Sequence, residues 1–281
     1  MMNAHCRVLA LAMAVLLSSV GMAQSIVGHR GASADAPENT LAAFQLAWQQ
    51  EADGIEGDFY FTRDRQVVCI HDADTLRTGG TKLSVADSTL AELRKLEYGA
   101  WKDPQFKGEP LPTFAQVLAI VPRGKLFVIE LKTGPEIVPL IADALKADIR
   151  SGSGREYLFI SFKESTIAKC KEVLPAIRAH WLTGFKQNKT TLAWTPDAHT
   201  IAKTVADCHA DGVGMQGERS VVTGEFIEQL QRGHVGEFHV WTVDKAGDAR
   251  YFRELGAVGI TTNRPRSIRK ALNESNTAET N

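Results

Sequence analysis

Short apolar runs bounded by polar turns alternate with amphipathic stretches along most of the chain. Residues 25–29 open the series as a strand, and a helix is predicted to start near Asn39 and Thr40, whose side chains can cap it. Further strands are predicted over residues 54–62, 67–71, 126–131, 157–162, 177–182, 212–215, 237–243 and 259–262. Helical periodicity fills most of the gaps, for example over 137–146, 165–173, 200–209, 226–231 and 249–255. Repeated strand-then-helix units place a parallel sheet inside and helices outside.

Nine strand candidates are one more than a (β/α)₈ TIM barrel requires. The surplus lies at 67–71, joined to 54–62 only by Arg63-Asp64-Arg65-Gln66. So short a connection makes an antiparallel hairpin, because parallel neighbours need a crossover of about a dozen residues or more. The fold expected is therefore an α/β barrel with a β-hairpin excursion after strand two. Pairing Thr62 with Val67 brings His71 opposite Asp58, and a slip of one residue keeps the two as neighbours.

Composition adds bounds. The chain has 281 residues, 44% hydrophobic and 23% charged, which suits one barrel, expected over 24–272. Its formal net charge is −1 with no basic stripe, which argues against a nucleic-acid partner. An anionic substrate must then be attracted by local groups rather than by the whole molecule. Residues 1–23 read as a signal peptide: Arg7, an acid-free apolar run over 8–20, then Gly21-Met22-Ala23 before Gln24. That run is shorter than the roughly 20 apolar residues a membrane span needs, so a periplasmic or secreted protein with no stable membrane insertion is expected. Residues 273–281 read as a disordered tail. Three cysteines follow the leader, too few and odd for a disulfide framework. Cys69 reads as a small buried thiol, and a Cys170–Cys208 bridge stays open.

The chemistry collects at predicted strand ends. Gly28-His29-Arg30-Gly31 sets an imidazole beside a guanidinium; Arg can fork two phosphate oxygens, and His can move a proton near neutral pH. Glu56 and Asp58, two apart on a strand, share one face, where buried acids need a cation or a shared proton. Glu130 and Lys132 repeat that spacing on the next barrel strand. A third inward carboxylate gives an all-oxygen set for a hard divalent cation, Mg²⁺ or Ca²⁺. His71 stands near this set through the hairpin, while Asp72 is assigned only to the following loop. Trp241 and Phe162, near strand ends, are candidate walls of a substrate pocket, and His180, His199, His209, His234 and His239 read as structural.

In order along the chain stand Gly28-His29-Arg30-Gly31, Pro37-Glu38-Asn39-Thr40, Glu56-x-Asp58, His71-Asp72, Glu130-x-Lys132, Trp241-Thr242-Val243 and Gly259-Ile260-Thr261-Thr262-Asn263-Arg264-Pro265. This set resembles the glycerophosphodiester phosphodiesterase family from first barrel strand to last. The resemblance implies metal-dependent hydrolysis of a small glycerophosphodiester to sn-glycerol 3-phosphate and an alcohol. It implies Glu56, Asp58 and Glu130 as metal ligands and His29 and His71 as acid and base. It places Arg30 and Lys132 at the phosphate, with Glu38 in support. Members often carry a Lys-Asp-Gly turn where this chain has Arg63-Asp64-Arg65, a change expected to alter hairpin geometry more than chemistry. Alternatives are a lysophospholipase D-like enzyme, for which no amphipathic membrane element is found, and a barrel that binds phosphodiesters without turnover.

Overall fold

The computed structural model describes residues 24–278, so the leader expected over 1–23 lies outside the described residues. In chain order the elements are β1 (Ser25–His29), α1 (Leu41–Gln49), β2 (Gly54–Phe61), β3 (Val67–Cys69), α2 (Leu76–Gly79), α3 (Leu90–Leu93), α4 (Phe114–Ala119) and β4 (Leu126–Leu131). They continue as α5 (Val138–Arg150), β5 (Glu156–Ser161), α6 (Glu164–Val173), β6 (Arg178–Thr183), β7 (Lys186–Gln187), β8 (Trp194–Thr195) and α7 (Ala198–Asp207). The last are β9 (Gly212–Gln216), α8 (Gly224–Arg232), β10 (Phe238–Trp241), α9 (Ala246–Glu254), β11 (Gly259–Thr262) and α10 (Pro265–Ala278). Strands β1, β2, β4, β5, β6, β9, β10 and β11 pair in parallel, and β1 bonds to both β11 and β2, closing the expected (β/α)₈ barrel.

Strand composition follows from burial on both faces. In β4, Phe127 and Ile129 point outward to the helices, while Leu126 and Val128 join an inner cluster with Val27, Leu158, Ile160 and Leu182. A strand covered on both sides reads as a nearly continuous apolar run, as Leu126–Leu131 does. Outside, Phe59 meets Phe114 and Phe127 edge-to-face, with ring centroids 5.3 and 5.8 Å apart. Helix starts carry their caps: the side chains of Thr40, Thr113, Asp197 and Thr223 each accept a backbone N–H of the first turn. Among the described residues no helix is long and apolar enough to cross a membrane.

The β2–β3 hairpin forms, with a register one residue from the expected one. Phe61 pairs with Val67 and Phe59 with Cys69, and the Ile70 N–H donates to the Asp58 carbonyl at 2.9 Å, so Ile70 rather than His71 stands opposite Asp58. The cause is the turn, which takes in Thr62: its N–H donates to the Gln66 carbonyl (2.9 Å) and its hydroxyl accepts the Gln66 N–H. Arg65 occupies the left-handed region (φ 61°) where a turn glycine would sit without strain, and its guanidinium lies 5.1 Å from the Phe61 ring centre. Of the segment expected as a disordered tail, residues 273–278 continue helix α10, and 279–281 lie outside the described residues. Cys69, Cys170 and Cys208 are buried free thiols, so no Cys170–Cys208 bridge exists.

At the floor of the barrel the inward positions of β9 are glycines, Gly212 and Gly214, and two imidazoles fill their space. His180 of β6 and His239 of β10 stack with ring centroids 5.1 Å apart and Nδ1 atoms 2.9 Å apart. His180 Nε2 lies 2.9 Å from Glu237 Oε1. A Cβ at Gly214 would come within 2.3 Å of His239 Cε1. Gly214→Ala is therefore expected to destabilise the protein by about 1–3 kcal/mol, the usual cost of overpacking, read as a lower urea midpoint at unchanged slope.

Candidate active site

All the predicted polar site residues gather at one mouth of the barrel, where the parallel strands end. A cleft there, about 450 Å³ with the space open to solvent included, is lined by His29, Arg30, Glu56, His71, Glu130, Lys132, Ile160, Phe162, Leu182, His239, Trp241 and Thr261. Asp58 lies just beneath it, 1% exposed. Phe162 and Trp241 form an edge-to-face pair with centroids 5.6 Å apart, an apolar wall beside the charged groups. Phe162 and Trp241, the candidate walls of a substrate pocket, both line this cleft.

Strand pairing explains the acidic cluster. Asp58 of β2 sits level with Glu130 of β4, and Glu56 level with His29 of β1, so alternation along the strands points the acids inward together. One oxygen from each of Glu56, Asp58 and Glu130 lies within 4.8 Å of the others. Burial and the neighbouring Asp58 and Glu130 charges push the Glu56 carboxyl well above the usual range. Burial and Asp58 likewise push Glu130 up to about 7 against the pull of Lys132. Burial would raise Asp58 too, but Lys132 and Arg30 prevail and hold it well below the ordinary carboxylate value. Glu56 Oε1 is buried without a hydrogen-bond partner among the described residues. An orphaned buried oxygen beside two more carboxylates fits a bound cation.

Two cations border the cluster. Lys132 Nζ donates to Glu130 Oε1 at 2.7 Å and stands 3.2 Å from Asp58 Oδ1. Arg30 is held from four directions. Its backbone N–H donates to Glu56 Oε2 (2.9 Å), its carbonyl accepts the Asn39 N–H (3.0 Å), Nη1 donates to Glu38 Oε1 (2.9 Å), and Nε lies 3.2 Å from Asp58 Oδ2. These contacts keep Arg30 in the left-handed region (φ 54°), a conformation that persists only where surroundings enforce it.

The two histidines have different partners. His29 Nδ1 lies 2.7 Å from Asn263 Oδ1. The Asn263 amide cannot be turned round, because its Nδ2 donates to Asp244 Oδ2 at 2.6 Å. Asn263 therefore offers an acceptor, His29 carries its proton on Nδ1, and Nε2 keeps a lone pair. Burial, then the Arg30 charge, lowers His29 to about 4. His71 Nδ1 instead meets the Asp72 carboxylate at 2.8 Å. Asp72, expected merely to serve its loop, is thus the partner of His71.

Asn39 is a second residue whose part was missed. Thr40 caps α1, whereas Asn39 Nδ2 donates to Asp58 Oδ2 (2.8 Å) and its Oδ1 accepts the Asp58 N–H (3.2 Å). Asn39 and Asn263 both lie inside the ordered motifs, but nothing in their spacing says that they reach across the fold to an acid and an imidazole.

Comparison with known proteins agrees with this geometry. Residues 29–267 match the model of the glycerophosphoryl diester phosphodiesterase family. A glycerophosphodiester phosphodiesterase of Caldanaerobacter subterraneus subsp. tengcongensis is 30% identical over 245 residues, covering 86% of this chain and 95% of that protein. Among solved structures, a glycerophosphodiester phosphodiesterase of Agrobacterium tumefaciens superposes with a TM-score of 0.68 at 27% identity, covering 87% of this chain and 98% of that one. An Oleispira antarctica phosphodiesterase, solved in complex with the product sn-glycerol-3-phosphate, superposes with a TM-score of 0.75 at 21% identity, covering 89% and 96%. With a matching family model over most of its length and the ordered site residues in one cleft, the chain belongs to the glycerophosphoryl diester phosphodiesterase family.

Proposed function

We propose that the protein hydrolyses small glycerophosphodiesters to sn-glycerol 3-phosphate and an alcohol, with a divalent cation held by Glu56, Asp58 and Glu130. The observation that carries this reading is the meeting of two imidazoles, Arg30, Glu56 and Glu130 in one cleft, with the Asp58 carboxylate just beneath and within 4.8 Å of the other two acids. The Oleispira antarctica relative, whose product is sn-glycerol-3-phosphate, supports the choice of product. Oxygen donors favour Mg²⁺ or Ca²⁺, and such an ion supplies Lewis-acid stabilisation of phosphate charge when bound. Arg30 and Lys132 point cationic groups into the same space and offset charge as it develops on the phosphate oxygens. Phe162 and Trp241 pack against the carbon skeleton of the substrate.

The histidine partners divide the proton transfers. His29, neutral and with its Nε2 lone pair free, takes the proton from the water whose oxygen attacks phosphorus. His71 delivers a proton to the departing alkoxide, and Asp72 compensates the charge of its protonated ring. The acid-free apolar run over 8–20 supports an exported protein, and N-terminal sequencing of the mature form is expected to begin at Gln24. Met1 retained on active protein would overturn export.

Cation binding and pH are linked with a definite sign. Glu130, raised from 4.5 to about 7 in the folded protein, holds a proton that the unfolded chain gives up. Its contribution to stability is therefore present below about pH 4.5 and is lost as pH rises toward 7. A cation displaces that proton, so added Mg²⁺ or Ca²⁺ is expected to raise the melting temperature more at pH 8 than at pH 5. Equal shifts at the two pH values, or none at either, would count against a cation at these carboxylates.

His29→Ala and His71→Ala are each expected to lower kcat on glycerophosphocholine by about 10²–10⁴. A p-nitrophenyl leaving group needs little protonation, so it should restore His71→Ala far more than His29→Ala. Release of sn-glycerol 3-phosphate reads the first comparison and nitrophenolate absorbance the second. Equal restoration would refute the division of roles, and no release by the wild-type protein would favour a binding protein.

A further inference from the structure

Arg77 belongs to α2, a four-residue helix outside the barrel on the connection between β3 and β4. Its guanidinium makes three charge-assisted hydrogen bonds. Nη1 and Nη2 fork the two oxygens of Glu38 at 2.7 and 2.8 Å, and Nε donates to Asp72 Oδ2 at 2.7 Å. Both acceptors serve the active site at the same time. Glu38 Oε1 also receives Arg30 Nη1, and Asp72 Oδ1 also meets His71 Nδ1. An unbroken chain of hydrogen bonds thus runs from His71 through Asp72, Arg77 and Glu38 to Arg30.

A surface ion pair of one Arg and one acid is worth little, because holding two long side chains together costs entropy. Arg77 differs in two respects. It is bidentate on Glu38, whose side chain is only 13% exposed, and its third donor reaches a carboxylate on another connection. Glu38 lies between β1 and α1, and Asp72 lies between β3 and α2, so no shared backbone ladder fixes one loop against the other. We propose that Arg77 is a positioning residue, locking the loop that carries the proton donor to the loop that carries the phosphate clamp. Asp72 directs His71 at the leaving oxygen only while Arg77 holds its far oxygen. Glu38 restrains Arg30 only while its own two oxygens are held in turn. Lysine cannot take this part, since one ammonium lacks the planar fork that spans Glu38 and still reaches Asp72.

The inference rests on His71 as the general acid, and the test separates the two ideas. Arg77→Met, Arg77→Lys, Asp72→Asn and His71→Ala are assayed in the full chain with Mg²⁺ present. Two diesters of glycerol 3-phosphate serve as substrates, one with a choline and one with a p-nitrophenyl leaving group. Arg77→Met is expected to raise KM for both, because Arg30 loosens, and to lower kcat by about tenfold to a hundredfold for the choline ester alone. Arg77→Lys should follow Arg77→Met rather than the wild type. Equal kcat losses on the two esters, or an Arg77→Lys protein with wild-type constants, would overturn the proposal. Should circular dichroism show that the Arg77 variants do not fold, Asp72→Asn cuts the same chain between His71 and Arg77. The same leaving-group dependence is then required of it, and equal losses reject the coupling. If His71→Ala itself lacks that dependence, the acid assignment has failed and the proposal falls with it. If His71→Ala has it and the Arg77 and Asp72 variants do not, only the coupling has failed.

Discussion

Three carboxylates buried at the end of a closed barrel set the terms for everything around them. Glu56, Asp58 and Glu130 are each 9% exposed or less, and unbalanced charge in such a place is costly. Arg30 and Lys132 offset part of that charge, and burial raises Glu56 and Glu130 where the offset is incomplete. In the proposed enzyme a divalent cation would complete the balance. A site arranged in this way is a poor stabiliser of the empty fold.

The barrel tolerates the cluster because its stability is secured elsewhere. Two large apolar layers lie between strands and helices, one around Phe44, Phe59, Phe127 and Phe159, the other around Ile201, Val213, Leu230 and Phe252. The interior itself is thin, with a few aliphatic side chains in the middle and a pair of stacked imidazoles at the floor. Polar groups thus occupy both ends of the interior, while outward packing holds the strands in register. Asn39 links the two systems, sitting at the start of α1 and gripping both the backbone and the carboxylate of Asp58.

Around the carboxylates, His29, His71 and Arg30 are each held by a neighbour that does not line the cleft. Asn263, fixed by Asp244, sets the proton on His29; Asp72 holds His71; Glu38 holds Arg30. An amide opposite one imidazole and a carboxylate opposite the other make chemically distinct groups from two identical side chains. Such supporting hydrogen bonds matter because proton transfer and phosphate binding tolerate little misplacement.

Alternation of apolar runs and helical periods, with one connection too short for a crossover, was enough to determine the barrel, its eight strands and the extra hairpin. The spacing of Glu56 and Asp58, and of Glu130 and Lys132, was enough to point those side chains inward, because period-two alternation is local geometry. The hairpin register was not determined, since Thr62 joins the turn through hydrogen bonds that depend on how the loop closes. Helix over 273–278 was missed because a polar stretch gives no apolar period to read, yet it continues a helix begun at Pro265. The parts of Asn39, Asp72, Arg77 and Asn263 were decided only by tertiary structure. His29 and Asn263 are 234 positions apart, and Arg77 and Glu38 are 39 apart, and no local period links such pairs. Barrel closure brings the first pair together, and the fold of the loops above it brings the second, which is why residue types announced the chemistry while the fold alone settled which side chain holds which.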